Sequence, residues 1–252
     1  MLYLTKTTDN FTICSKDGTI GKIKELLFDD RKWHVRYMVA DTGTWLPGRK
    51  VLISPEFMLE LNRENQCINV DLLKKEVKDS PPLTSDQPVD RQLDKDLWGF
   101  FSLPETPLTK LPHDLPEQIK LDRQAREERF DEEHSWDRHL RSSIAATGIK
   151  VVALDGEVGQ IEDFIVDDQN WSVRYLVVKT SGWWPGHRIL AAPPWISKIN
   201  WGSSKIFVGI EREPFKTLEE YKSLEMLTRE YEERLHQSCN RIGYWADDPN
   251  CR

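Results

Sequence analysis

The sequence predicts a mainly β protein: two small antiparallel β-barrels related by an internal repeat, with short helices in the connecting stretch and a C-terminal helix. Two observations predict it. Residues 18–55 align without a gap on residues 156–193, an offset of 138 positions, and 16 of the 38 aligned pairs are identical. Within each copy, short apolar/polar runs are punctuated by tight-turn residues, which reads as strands joined by turns. The register extends through Leu2/Leu140 and Asp17/Asp155 before the repeat, and through Ile68/Ile206 and Val70/Val208 after it. A repeat this long is a folded unit rather than a stacking repeat. The boundaries follow: barrel 1 over 1–78, an acidic Pro-rich linker over 79–139, barrel 2 over 140–216, and a helix and tail over 217–252. A unit of about 75 residues buries only ~60% of its unfolded surface, so each copy needs the other, or the helices after it, to complete its core.

Taken in order, Phe11–Ser15 alternates and Asp17-Gly18 forms a hairpin turn, glycine accepting positive φ. Thr19–Phe28 is the return strand, in which Gly21 suggests a bulge or a close backbone approach. After the Asp29–Lys32 turn, Val35–Asp41 is a strand with Val35, Tyr37 and Val39 on one face and Arg36 on the other. A loop closing in Pro47-Gly48 leads to Val51–Ile53, a helical turn opened by Pro55, and a last strand at Ile68–Val70. Seven prolines between 79 and 116 exclude one regular element there, although Asp90–Gly99 can form a short helix. At the C-terminus, Thr217-Leu-Glu-Glu reads as a capping box, and apolar residues from Leu218 to Leu235 recur at helical spacing. A helix from Leu218 to about Gln237 is expected, its apolar stripe buried on its own barrel or across a homodimer.

Charge narrows the function classes. The net charge is −7, but residues 1–78 carry +2, 140–216 carry +1, the linker −7 and the tail −3. A nucleic-acid binder would show a basic stripe on the folded unit, so nucleic acid is not expected as a partner. No apolar run reaches the ~20 residues that span a bilayer, and no basic-then-apolar leader is present, which suggests a cytoplasmic protein with no membrane insertion.

The candidate chemistry is sparse. Asp29-Asp30 and Asp167-Asp168 suggest acid/base or metal work, yet turn aspartates ordinarily cap their own backbone. His236, Cys239 and Cys251 have no CxxC and no fourth ligand at a usual spacing, so no metal or cofactor is expected. Cys14 reads as a small core residue, because it aligns with Val152, and Cys67 aligns with Lys205. No triad, nucleophile elbow, P-loop or GxGxxG is present, and the expectation is a non-enzyme. Partner-binding candidates are the loop residues Trp45, Trp183, Trp184, His187 and Arg188, with Arg36 and Arg174 on the polar strand face. Both alternatives stay open: the tryptophans can equally plug an internal joint, and the arginines can form cross-strand salt bridges to Asp29 and Asp167.

The stretch GEVGQIEDFIVDDQNWSVRYLVVKTSGWWPGHRIL resembles the PRC-barrel module, with Gly18–Leu52 as a second copy. Leu140-Arg-Ser-Ser and the tail Glu232–Trp245 resemble stand-alone bacterial proteins with tandem PRC-barrels. The resemblance implies a small antiparallel barrel like the cytoplasmic domain of the photosynthetic reaction centre H subunit and the C-terminal domain of the ribosome maturation factor. There the barrel holds other chains and carries no catalytic residues. A non-catalytic adaptor with a protein partner is therefore expected. The alternatives are a reaction-centre H-like scaffold with surface carboxylates relaying protons, and a metal-dependent hydrolase using Asp29/Asp167 or the C-terminal His/Cys group.

Overall fold

The computed structural model describes residues 1–80 and 139–247, apart from positions 44, 48 and 183. The helix expected at 90–99, Trp183 and Cys251 lie outside the described residues. The chain is mainly β, a large mixed sheet with few helices. No helix among the described residues is long and apolar enough to cross a membrane. Contacts divide the chain into two units: Asn10–Arg31 with Arg36–Ser142, and Met1–Asp9 with Lys32–Val35 and Ser143–Arg252.

In chain order the first elements are β1 (Leu2–Leu4), α1 (Thr5–Thr8), β2 (Thr12–Ser15), β3 (Gly18–Asp29), β4 (His34–Asp41) and β5 (Lys50–Ile53). A 3₁₀ turn at Pro55–Phe57 then leads to β6 (Met58–Asn62), β7 (Cys67–Val70) and α2 (Lys74–Asp79). In the unit of the first repeat the ladder runs β4-β3-β2-β7-β6, with β5 on β4 and β8 (Leu140–Ser142) on β3. Gly18 makes the hairpin turn at φ 131°, and a bulge separates Gly21 from Thr19 against β2. Only glycine fits at 21: an added Cβ would lie 2.0 Å from the Asp41 carbonyl oxygen. Leu27, Tyr37, Val39 and Leu52 pack around Leu140, which arrives on β8. The amide of Lys74 donates to Asp17 Oδ1 at 2.8 Å, which ties the start of α2 to the hairpin and holds the Asp17 carboxyl below its ordinary range.

The other unit holds β1, α1, α3 (Ser143–Ala146), β9 (Lys150–Ala153), β10 (Gly156–Asp167), β11 (Ser172–Thr180), β12 (Arg188–Ala191), a 3₁₀ turn at Pro193–Trp195, β13 (Ile196–Asn200), β14 (Lys205–Val208), α4 (Arg212–Thr217) and α5 (Arg229–Ser238). Its ladder runs β13-β14-β9-β10-β11, with β1 on β10 and β12 on β11. To within one residue, each element from β1 to α2 recurs 138 positions later. The start of β4 belongs here too. Val35 N–H donates to the Trp171 carbonyl at 2.8 Å and Val173 N–H to the Trp33 carbonyl at 2.7 Å, a reciprocal pair between repeat-equivalent residues. Both tryptophans sit at positive φ, 55° and 56°.

Three expectations need correction. The recorded pairings are not those of closed antiparallel barrels: β2 runs parallel to β7 and β9 to β14, and the described ladders are open at β6 and β13. The cause is the chain path. After the 3₁₀ turn the chain forms the β6–β7 hairpin, and its return strand lies beside β2 running the same way. That parallel pairing also brings Cys14 next to Cys67, 53 positions away, and a disulfide joins them with a Cα separation of 6.5 Å. Finally, the C-terminal helix is shorter than its apolar spacing suggests. Thr217 ends α4, and Tyr221, buried, donates its N–H to the Arg188 carbonyl at 2.8 Å. Pairing with the edge of β12 outweighs helix propensity over 218–223. Helix α5 starts after Thr228, whose hydroxyl accepts the Tyr231 N–H at 3.3 Å.

Candidate protein-interaction site

The loops after β4 and β11 are built alike. Each begins with a buried threonine whose hydroxyl points back at two loop carbonyls. Thr42 Oγ1 lies 2.8 Å from the carbonyls of Leu46 and Arg49, and Thr180 Oγ1 meets those of Trp184 and His187. Glycines at positive φ, Gly43 at 62° and Gly182 at 64°, start both turns. Gly159 lets β10 approach the base of the second loop, where a Cβ would sit 2.1 Å from the Lys179 carbonyl oxygen.

On this shared backbone the side chains differ. In the first loop Trp45 is half-buried and donates its indole N–H to the Ile20 carbonyl, with Lys74 Nζ 5.7 Å from the ring centroid. Arg49 is spent as well, donating to the Lys78 carbonyl at 2.8 Å and to that of Ser80. In the second loop Trp184 replaces Leu46 and is 47% exposed, its ring stacked on His187 at 5.2 Å and 28°. At the loop base Arg188 grips Glu162 with two bonds, 2.6 and 3.2 Å, which hold the Glu162 carboxyl below its ordinary range and raise the Arg188 guanidinium. Trp184 and His187 thus stand together, Arg188 is spent on Glu162 at the loop base, Trp45 is tied inward on the other repeat, and Trp183 lies outside the described residues.

The strand arginines stand elsewhere. Arg36 Nη1 lies 3.5 Å from Asp29 Oδ2, and Arg174 donates twice to Asp167 Oδ2, at 2.8 and 3.1 Å. The cross-strand reading of these residues describes them, because each pair spans one tight turn. The aspartates also cap their turns, Asp29 accepting the Arg31 N–H at 2.8 Å and Asp167 the Gln169 N–H at 3.1 Å. Their neighbour Asp30 is hydrogen-bonded to His139 at 2.8 Å and ion-paired with Arg141 at 3.0 Å. Among the described residues no three His, Cys, Asp or Glu side chains gather as metal ligands.

A buried polar cluster escaped sequence reasoning. Glu232 on α5 is 3% exposed, and its Oε1 accepts the hydroxyls of Tyr175 at 2.9 Å and Tyr244 at 3.0 Å. Arg229 lies 3.2 Å from Oε2, and the Arg174 guanidinium stacks on the Tyr244 ring at 4.0 Å. His236 packs beside them, Nε2 3.3 Å from the Tyr175 hydroxyl and Nδ1 3.1 Å from the Ile242 carbonyl. Because a carbonyl only accepts, Nδ1 carries the proton and Nε2 is left with acceptor capacity, the single Tyr175 hydroxyl proton going to Glu232. Burial lowers the His236 pKa, raises that of Tyr175 and pushes Tyr244 up to about 12. Both phenols therefore stay protonated at neutral pH. The signal was available, since Glu232 and His236 are four apart on the same helix face as Leu235 and Tyr231. With Tyr175 buried and Tyr244 half-buried against Glu232, the cluster fastens α5 and the tail to β11. Comparison of the chain with protein-family models gives no match, and comparison with curated proteins gives none either.

Proposed function

We propose that this chain is a non-catalytic adaptor of the PRC-barrel kind, which holds another protein through the Trp184–His187 loop of its second repeat. One observation carries the reading. Where the first loop carries Leu46, the second carries Trp184, 47% exposed and stacked on His187 at 5.2 Å. An indole held half in water forgoes burial, and rigid aromatic side chains are among the groups that dominate binding energies at interfaces. The carboxylates that a hydrolase would need are each engaged by a cation of their own, Asp29 by Arg36 and Asp167 by Arg174. Affinity capture on the immobilised full chain, run beside Trp184→Ala, tests the reading. The variant should keep the wild-type melting temperature and lose the captured protein. A variant that loses stability but keeps its partner would make the loop core cover.

A further inference from the structure

One row of side chains across the sheet of the second repeat carries four cations and no acid. Asn200 faces Lys205, Lys205 faces Lys150, Lys150 faces Gln160, Gln160 faces Lys179 and Lys179 faces Arg188, on β13, β14, β9, β10, β11 and β12. Residues directly opposite each other share a face of the sheet, and here it is the outer one. All six are exposed, while the adjoining Val151, Val178 and Ile206 are buried. The equivalent row of the first repeat, 138 positions earlier, has only two cations, Lys22 and Lys50, and one acid, Asp41. Arg188 ends the row at the foot of the Trp184–His187 loop.

Two of the cations are already used. Lys150 Nζ donates to Glu157 at 2.9 Å, and Arg188 donates to Glu162 at 2.6 and 3.2 Å. Lys179 and Lys205 form no ion pair among the described residues. Lys205 also stands directly opposite Lys150, and like charges so placed are destabilising. Negative charge arriving from outside relieves that repulsion, which makes the row complementary to an acidic partner surface. Lys179 and Lys205 are three strand spacings apart, roughly 14 Å along the sheet, which an extended chain spans in about four residues. Alternate residues of an extended chain share a face, so acids at i and i+4 of one segment reach both lysines. Nucleic acid fits worse, because its binders neutralise several phosphates, and here two unpaired lysines stand beside two carboxylates. We infer that the row is a docking track for an extended acidic segment of the partner protein, continuous with the Trp184–His187 loop. The inference rests on the adaptor reading for the existence of that partner.

The test uses the full chain and two fluorescein-labelled probes, a peptide of alternating glutamate and serine and a short oligothymidylate, with binding read by anisotropy at low and moderate salt. Lys179→Glu with Lys205→Glu reverses the two unpaired charges. Lys22→Glu with Lys50→Glu makes the same change of net charge on the first repeat. All four side chains are exposed, and circular dichroism checks that both variants keep the fold. The peptide should bind the wild type, more weakly as salt rises. It should bind the Lys179/Lys205 variant about tenfold more weakly and the Lys22/Lys50 variant within about twofold of wild type. No binding to the wild type, or an equal loss in both variants, would overturn the inference. So would an oligothymidylate that binds more tightly than the peptide through the same lysines. The peptide offers no apolar anchor to Trp184, so this outcome is separate from the capture experiment on Trp184→Ala, and either reading can fail without the other.

Discussion

Replacing Glu232 by alanine removes the acceptor that two tyrosines share. Hydrogen bonds to a charged group contribute roughly 1.5–3 kcal/mol each, and Tyr175 and Tyr244 meet Oε1 at 2.9 and 3.0 Å. The Arg229 pair adds little, because that side chain is 45% exposed. Against the loss stands relief from holding a carboxylate in an enclosed site, which recovers part of the total. The Tyr175 hydroxyl also keeps a poorer acceptor in His236 at 3.3 Å. The net expectation is a destabilisation of about 3 kcal/mol for Glu232→Ala, and about 1 kcal/mol for Glu232→Gln, which keeps an acceptor. Urea unfolding followed by tryptophan fluorescence measures both, with the m-value as a check that the transition is unchanged. The reasoning fails if Glu232→Ala lies within about 0.5 kcal/mol of wild type, the range of an ordinary surface substitution.

Other outcomes follow from the same contacts. Because burial lowers the His236 pKa, the unfolded chain takes up that proton first, so this residue's stabilisation is full above about pH 6.5 and falls as the pH drops below it. His236→Asn, which keeps a donor for the Ile242 carbonyl, should flatten the fall measured between neutral pH and pH 5. Gly159→Ala should cost at least ~3 kcal/mol, or prevent folding, because its Cβ would lie 2.1 Å from a backbone carbonyl. Gly182→Ala, with open space around it, should cost only about 1 kcal/mol for its positive φ, and thermal unfolding of the two compares them. The unreduced, denatured chain should titrate two fewer thiols than the reduced chain, and reduction should cost up to ~4 kcal/mol for a closed loop of 53 residues. Equal thiol counts would remove the Cys14–Cys67 bridge.

Much of the fold was legible because the repeat and its turn chemistry are local. Asp17-Gly18, the bulge at Gly21 and the Arg36–Asp29 and Arg174–Asp167 pairs all depend on residues a few positions apart across one turn. What sequence could not supply was long-range choice. Leu2–Leu4 suits either repeat's edge, and nothing in three residues says that it crosses to β10. The same limit hid the parallel β2–β7 pairing, and with it the partner of Cys14. The C-terminal helix start was misplaced because the 218–227 spacing fits a helix while Tyr221 has a better use as a buried plug beside β12. Of the site, the loop position was readable from Trp-x-Pro-Gly, but the inward turn of Trp45 and outward display of Trp184 depend on packing that pattern alone does not encode.

The adaptor claim is tested most directly by titrating the captured partner, once purified, into three full-length proteins: wild type, Trp184→Ala and Leu59→Ser. Leu59 is also apolar and exposed, at 65%, but lies on β6 away from the loop in sequence. A central aromatic at an interface contributes ~2 kcal/mol or more, so Trp184→Ala should weaken the Kd by roughly 30-fold or more. Leu59→Ser should bind like wild type. Equal affinity for Trp184→Ala and wild type would contradict the claim, and an equal loss in both variants would reduce it to general stickiness.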